Sequence, residues 1–258
     1  MGTVKTEIIE EIGHLSLDNP DALNALSAEV AAAAASFLRE SGEKGVRAVL
    51  LKAEPNKHKV WSAGLDIRGL PKGRRDPLAY NDAFEDLLHA VAMAPFPVIA
   101  VVKGGVWGGA FDLVSTCDMV VADSTAKFAI TPAKLCIPYN PTGVMHILNV
   151  IGPTRTKAMF FTAEPIDAVT AERWGVVTHL NEDPDACAAG LCATIKKNAA
   201  LSIAVIKEQI RMFTDARNIS LIEFERLQGL RRRVWDSEDY AEGISSFVEK
   251  RKPVFKGR

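Results

Sequence analysis

Two short glycine-bearing segments carry the residue types best suited to chemistry: Trp61-Ser62-Ala63-Gly64-Leu65-Asp66 and Gly104-Gly105-Val106-Trp107-Gly108-Gly109-Ala110-Phe111-Asp112. Each follows a stretch rich in β-branched residues and ends where a helix can start. Such a junction leaves backbone N–H groups without partners at a place that a ligand oxygen can approach. Two such donors aimed at one oxygen form an oxyanion hole, which stabilises the negative charge that builds on a carbonyl during reaction. Glycine suits the position because it allows close backbone approach and unusual dihedrals. The chemistry this pattern points to is enolate formation, with no need for a side-chain nucleophile.

The elements around these segments must hold them. Residues 7–17 alternate apolar and polar positions, the pattern of a hairpin or of paired edge strands. Asp18-Asn19-Pro20 reads as a turn, and the alanine-rich stretch 23–38 as a helix. Buried strands are expected over 46–52, 98–102 and 118–122, with a helix beginning near Gly108 between the last two. The loop 68–79, with Gly69, Pro71, Gly73 and Pro77, is either a lid over the site or a plain surface connection, and a helix over 80–93 follows it. Beyond residue 154 helices are expected over 154–161, 168–174, 185–198, 202–216, 221–233 and 237–250. Strands alternating with helices indicate α/β crossovers. With no linker, repeat or low-complexity tract, 201–258 reads as a helical region attached to a 1–200 core.

The bulk properties narrow the partners. The 258 residues are 48% hydrophobic and 24% charged, with a formal charge of −1. No basic field favours nucleic acid or an anionic membrane, so an anionic ligand needs local cations. The N-terminus carries charges where a secretion signal needs an apolar core, and the apolar run 98–102 is far too short to span a bilayer, so a cytoplasmic protein is expected. Met1-Gly2 with Thr6 fits the short myristoylation pattern, which an immediate β-strand argues against. Cys117, Cys136, Cys187 and Cys192 show no CxxC spacing; the reading is buried thiols in a reducing compartment, with no metal site and no disulfide framework.

At the two glycine segments the chain resembles the enoyl-CoA hydratase/isomerase (crotonase) superfamily. Asn19-Pro20-Asp21-Ala22-Leu23-Asn24-Ala25-Leu26, Cys117-Asp118, Phe128 and Ile137-Pro138 extend the likeness over nearly the whole length. Ser62-Ala63-Gly64, Val106 to Phe111, Thr131-Pro132 and Ile137-Pro138-Tyr139-Asn140 look like its methylmalonyl-CoA decarboxylase branch, as do Ile203-Ala204-Val205-Ile206-Lys207-Glu208 and the tail Glu249-Lys250-Arg251-Lys252-Pro253. The resemblance implies an α/β spiral of ββα repeats with a C-terminal helical region used for trimerisation, and trimers that pair into hexamers. It also implies decarboxylation of methylmalonyl-CoA, or a close malonyl-CoA analogue, to propionyl-CoA. Coenzyme A would enter as part of the substrate, with no metal and no biotin.

Residue by residue, the resemblance places the oxyanion donors at the backbone N–H groups of Leu65 and Gly109. Leu65 stands where the branch carries histidine. Asp112 occupies the first carboxylate position of the hydratases, one methylene shorter than their glutamate, and Pro132 occupies the second. Proline cannot transfer a proton, which argues against ordinary hydration. Tyr139 matches a tyrosine that orients the leaving carboxylate, and Thr131 offers a second hydroxyl. Ala63, Gly64, Leu65, Asp66, Ile67 and Lys250 fall at coenzyme A-binding positions. Arg68, Lys72, Arg74 and Arg75 are further phosphate partners, Arg231-Arg232-Arg233 reads as exposed or subunit-facing, and all five histidines read as structural or surface residues. Two alternatives stand beside this reading: an enoyl-CoA hydratase or isomerase working through Asp112, and a non-catalytic acyl-CoA-binding paralogue.

Overall fold

The computed structural model describes residues 3–69, 82–215 and 221–258. Strands β1 (Thr3–Ile9) and β2 (Ile12–Asp18) pair antiparallel, with Ile9 opposite Ile12, so Glu10 and Glu11 alone make the turn. Both have positive φ, 46° and 69°, the geometry in which a two-residue hairpin loop follows the twist of its strands. Helix α1 (Ala28–Glu43) begins later than the apolar periodicity predicts. Pro20–Ala22 forms a 3-10 turn, and Leu23 and Asn24 are left-handed, with φ of 56° and 53°. The helix starts only where Ser27 caps it by accepting the Val30 N–H at 3.3 Å.

From there the chain repeats one pattern. Strands β3 (Ala48–Ala53) and β4 (Val60–Ser62) lead to helix α2 (Ala83–Met93), which Asp82 caps. Strands β5 (Val98–Val102) and β6 (Gly105–Trp107) lead to α3 (Gly109–Thr116). Strands β7 (Met119–Ala122) and β8 (Lys127–Ala129) lead to α4 (Pro141–Thr162). The first strand of each unit enters a six-stranded sheet, β1-β2-β3-β5-β7-β10, and the second enters a four-stranded sheet, β4-β6-β8-β9. Here β9 is Ile166–Asp167 and β10 is His179–Leu180, separated by α5 (Ala168–Trp174). Because each unit lies beside the one before it, β3, β5 and β7 run parallel in one sheet and β4, β6 and β8 in the other. This is a spiral of ββα turns.

The central strands of the large sheet are buried on both faces, which is why they read as unbroken apolar runs. Val49, Leu51, Val98, Ala100 and Val120 point into the main core shared with the second sheet, α1 and α2. Their neighbours Leu50, Ile99, Val101 and Val121 pack instead against Ala188, Cys192 and Ile195 of α6 (Pro184–Lys197). Helix α4 contains a break at Gly152 (φ 75°, ψ 170°), just before Pro153. The expected helix over 154–161 is therefore only its second half.

The chain ends in α7 (Ala200–Asp215), α8 (Leu221–Trp235) and α9 (Glu238–Val248). Lys207 of α7 donates from Nζ to Asp118 Oδ2 at 2.7 Å and to the Val91 and Phe96 carbonyls at 3.0 and 3.1 Å, fastening this helix to the spiral. All four cysteines are free thiols; Cys192 is buried, and the other three are only half-buried. Among the described residues no single helix is long and apolar enough to cross a membrane.

Candidate active site

The first glycine segment is braced by the Asn19–Leu26 stretch. Asn24, fully buried, donates from Nδ2 to the Glu54 and Trp61 carbonyls at 2.8 and 3.1 Å and accepts the Asn19 N–H at 3.0 Å. The Ser62 hydroxyl donates to the Asn24 carbonyl at 2.7 Å and accepts the Gly64 N–H at 3.2 Å. The Ala63 N–H goes to the Leu23 carbonyl at 2.9 Å, and the Asp66 N–H to the Leu26 carbonyl at 3.1 Å. Leu26 in turn donates to the Gly64 carbonyl at 2.8 Å. Every amide from Ala63 to Asp66 is thus engaged except that of Leu65, for which no acceptor is found among the described residues.

The second segment is held by β8, through a bond from the Gly108 N–H to the Ala129 carbonyl at 2.9 Å. Gly108, at φ 55° and ψ −120°, turns the chain into α3, so that Gly109 is the first helical residue. A first-turn N–H has no partner within its own helix, and no acceptor for the Gly109 N–H is found among the described residues. The helix terminus adds a partial positive charge there.

The two free amides are neighbours. A methyl group placed on Gly109 would lie 3.3 Å from the Leu65 nitrogen, and one placed on Gly64 would lie 3.0 Å from the Gly109 nitrogen. Gly64 also has φ +86°, and a side chain there would overlap the Trp107 carbonyl oxygen. Glycine is thus demanded twice over at this position, by dihedral and by contact.

Both amides border a cavity of about 430 Å³. Of the residues singled out in the sequence, Ala63, Leu65, Asp66, Ile67, Gly109, Asp112, Thr131 and Tyr139 line it. Gly64 lies outside that lining, and so does Lys250, a left-handed residue just past the end of α9. Apolar groups make up much of the remaining wall: Leu23, Phe84, Leu135, Ile137, Pro138, and from the C-terminal helices Trp235 and Phe247.

Tyr139 donates its hydroxyl to the Gly108 carbonyl at 3.2 Å and packs edge-on against Phe160. Burial, together with the charges of Asp112 and Glu85, pushes its phenol well above its ordinary value, so it stays a protonated donor. Asp112 is only 1% exposed, and its Oδ1 lies 2.8 Å from His146 Nδ1. Of the five histidines, read from the sequence as structural or surface residues, His146 is the one that meets a candidate site residue. Asp112 and Tyr139 come together over Gly143: a methyl group there would overlap Asp112 Oδ2 and lie 2.5 Å from Tyr139 Cε1.

Glu85 is a further carboxylate of the cavity, beside Asp21, Asp66 and Asp112, and no motif in the sequence marks it. Asn140 donates to its Oε1, and the Thr142 hydroxyl stands 3.1 Å from both its oxygens. Burial, then the neighbouring Asp112 charge, raise its pKa above the usual carboxylate range against these hydrogen bonds. Its one sequence signal is a place in the first turn of α2, where acids are common for the helix dipole alone. Of the expected phosphate partners, Arg68 lines the cavity and pairs with Asp66 at 2.9 Å. Lys72, Arg74, Arg75 and most of the 68–79 loop lie outside the described residues. Arg232 and Arg233 are exposed, whereas Arg231 is buried, against the expectation for that run. Among the described residues no group of His, Cys, Asp and Glu side chains is placed to hold a metal ion.

Comparison with known proteins gives a consistent result. The profile of the family described as enoyl-CoA hydratase/isomerase matches residues 7–258. Methylmalonyl-CoA decarboxylase of Escherichia coli (strain K12) is 38% identical over 98% of both chains. A crystal structure of methylmalonyl-CoA decarboxylase complexed with 2S-carboxypropyl CoA superposes with a TM-score of 0.95 at 38% identity, covering 99% of this chain and 98% of that one. A probable enoyl-CoA hydratase of Mycobacterium leprae (strain TN) is 30% identical over 99% of this chain and 98% of its own.

Proposed function

Because the chain belongs to the enoyl-CoA hydratase/isomerase family, we propose that it decarboxylates methylmalonyl-CoA, or a close malonyl-CoA analogue, to propionyl-CoA. The observation that carries this reading is the pair of unclaimed amides, Leu65 and Gly109, side by side on the wall of a cavity that also presents Tyr139. The thioester oxygen sits against the two N–H groups at the positive end of α3. The substrate carboxylate turns out of the thioester plane towards the hydroxyls of Tyr139 and Thr131. Cleavage of the C–C bond releases carbon dioxide and sends its electron pair into the thioester, where the amides hold the enolate oxygen. A donor of this kind is worth about 3–4 kcal/mol of barrier, enough to decide whether turnover is seen. Burial, with the charges of Asp112 and Glu85, keeps the phenol protonated, so that Tyr139 can turn its one O–H from the Gly108 carbonyl to the substrate carboxylate.

The mostly apolar wall disfavours a localised carboxylate more than the dispersed charge that follows it. Coenzyme A runs past Ala63, Gly64, Leu65, Asp66 and Ile67, with Arg68 and Lys250 as cations for its phosphates. No metal and no biotin take part. Residues 1–200 form the catalytic spiral, and residues 201–258 the helical region that closes the cavity with Trp235 and Phe247. Helix α7 exposes Leu201, Val205, Ile206, Ile210 and Phe213. An apolar face of that extent supports assembly into a homotrimer or a dimer of trimers. The composition supports a cytoplasmic enzyme that binds neither nucleic acid nor membrane.

Incubation of the purified protein with methylmalonyl-CoA tests the proposal: propionyl-CoA and carbon dioxide are expected, and the appearance of neither refutes it. A second reading, hydration of an enoyl thioester, draws support from Asp112 and Glu85 lining one cavity. It predicts loss of the enoyl absorbance of crotonyl-CoA, which the decarboxylase reading does not.

A further inference from the structure

We propose that Glu85 delivers the proton that turns the enolate into the product thioester, and delivers it to one face only. This deepens the decarboxylase reading and rests on it. Cleavage of the carboxylate leaves an enolate whose α-carbon needs a proton; with Asp21 exposed to solvent and Asp66 paired with Arg68 at 2.9 Å, the remaining acids on the cavity wall are Tyr139, Asp112 and Glu85.

Two of the three are committed elsewhere. The Tyr139 hydroxyl donates to the Gly108 carbonyl at 3.2 Å, and its burial beside two carboxylates makes it a poor acid. Asp112 is engaged by His146, with Oδ1 2.8 Å from Nδ1, in the first turn of α3. Glu85 differs in the way its oxygens are held. Asn140 donates to Oε1, which leaves Oε2 open to a proton. The Thr142 hydroxyl, 3.1 Å from both oxygens, donates to Oε1 and accepts from a protonated Oε2, or donates to Oε2 once the proton has left. Both protonation states therefore keep their hydrogen bonds, as a group that cycles between them requires. Burial, then the Asp112 charge, raise the pKa of this carboxyl, the direction in which an acid is tuned.

Its place in the chain also fits. The ring of Phe84, the preceding residue, lies 3.3 Å from a methyl built on the oxyanion donor Gly109, and its partner Asn140 follows Tyr139. The step balances: the Oε2–H bond breaks, the Cα–H bond forms, and the enolate electron pair returns to the thioester carbonyl. The Glu85 carboxylate, now holding Asn140 and Thr142, regains a proton from water after the product leaves.

Turnover in deuterium oxide reads this directly, because propionyl-CoA deuterated at C2 is chiral. The wild type gives one configuration at C2. Glu85→Gln slows turnover and spreads the deuterium over both configurations, Glu85→Asp restores the single configuration, and Asp112→Asn keeps it. A wild type that gives both configurations, or a folded Glu85→Gln that still gives one, overturns the proposal, as does scrambling by Asp112→Asn alone. If Glu85→Gln does not fold, Glu85→Ala takes its place: both configurations from a folded Glu85→Ala protein support the proposal, and a single configuration overturns it. A wild type that releases no carbon dioxide refutes the decarboxylase reading instead, a result plainly different from carbon dioxide release with random deuteration.

Discussion

Gly109→Ala separates chemistry from stability more cleanly than any other substitution at this site. Gly109 is not among the positive-φ residues, so its backbone accepts alanine. The new methyl would lie 3.3 Å from the Leu65 nitrogen, 3.3 Å from Phe84 Cζ and 3.6 Å from Leu65 Cβ. The two 3.3 Å contacts are tighter than ordinary van der Waals contact and require Leu65 or Phe84 to give by a few tenths of an ångström, which offsets the gain from alanine's helix preference and leaves a net change in stability of about 1 kcal/mol. The methyl nevertheless stands beside the Leu65 N–H, where a thioester oxygen must approach to roughly 2.9 Å to bond. Losing one oxyanion donor costs about 3–4 kcal/mol, a fall in kcat of roughly a hundred- to a thousandfold. Release of propionyl-CoA from methylmalonyl-CoA, measured chromatographically, reports the activity, and circular dichroism melting reports the fold. Gly190→Ala is the control: it lies on α6 with nothing within 4 Å of its new methyl, and should leave activity unchanged. Wild-type activity in a folded Gly109→Ala protein would refute the oxyanion assignment.

Tyr139→Phe removes the hydroxyl directed at the leaving carboxylate. A hydrogen bond to a charged group is worth about 1.5–3 kcal/mol, so kcat/KM should fall roughly 10- to 150-fold with little change in Tm; an unchanged kcat/KM contradicts the role. Asn24→Leu strands the Glu54 and Trp61 carbonyls and the Asn19 N–H, and should cost about 3 kcal/mol in urea unfolding. A midpoint equal to the wild type would show that the brace is dispensable. Glu85 binds its proton more tightly in the folded chain than in the unfolded one, whose pKa lies near the ordinary 4.5. Above that pH the folded state holds the extra proton, so stability falls as pH rises and levels off once the folded carboxyl has ionised. Glu85→Gln removes this contribution. The Tm of the wild type should therefore drop relative to the variant as pH is raised above 4.5, and a constant difference would refute the raised pKa.

What the sequence discloses depends on how local the determining forces are. Strand 98–102 and helix 168–174 are observed over the spans expected. The strand is apolar throughout because both its faces are covered. The helix carries its own punctuation, Asp167 capping the Thr170 N–H at its start and left-handed Gly175 at its end. Helix α1 misleads because Leu23 and Leu26 continue its apolar spacing while Asn24 is drawn into the brace, a long-range demand that overrides periodicity. The first half of α4 escapes notice because Gly152-Pro153 breaks the pattern. Strands β4, β6 and β8 have three residues each, too few for alternation to show.

The site divides along the same line. Leu65 and Gly109 are legible because they act through backbone, and the glycines that free the backbone are themselves written in the sequence. Glu85 and His146 are not, because an acid in the first turn of a helix and a histidine on a helix face have ordinary explanations until tertiary contact supplies another. Nor do all the strings shared with the family concern chemistry. Asp118 and Lys207, far apart in the chain, meet in one ion pair that anchors α7, so their resemblance reports architecture. Gly143 joins the two kinds of information. It lies on α4 and has no reactive group, yet any side chain there would overlap Asp112 and crowd Tyr139. Gly64 does the same for the amide of Gly109. The reactive geometry therefore depends on where side chains are missing as much as on where they stand: a substitution at either glycine should damage turnover, and at Gly64, where a Cβ would meet the Trp107 backbone oxygen at φ +86°, it should cost stability as well.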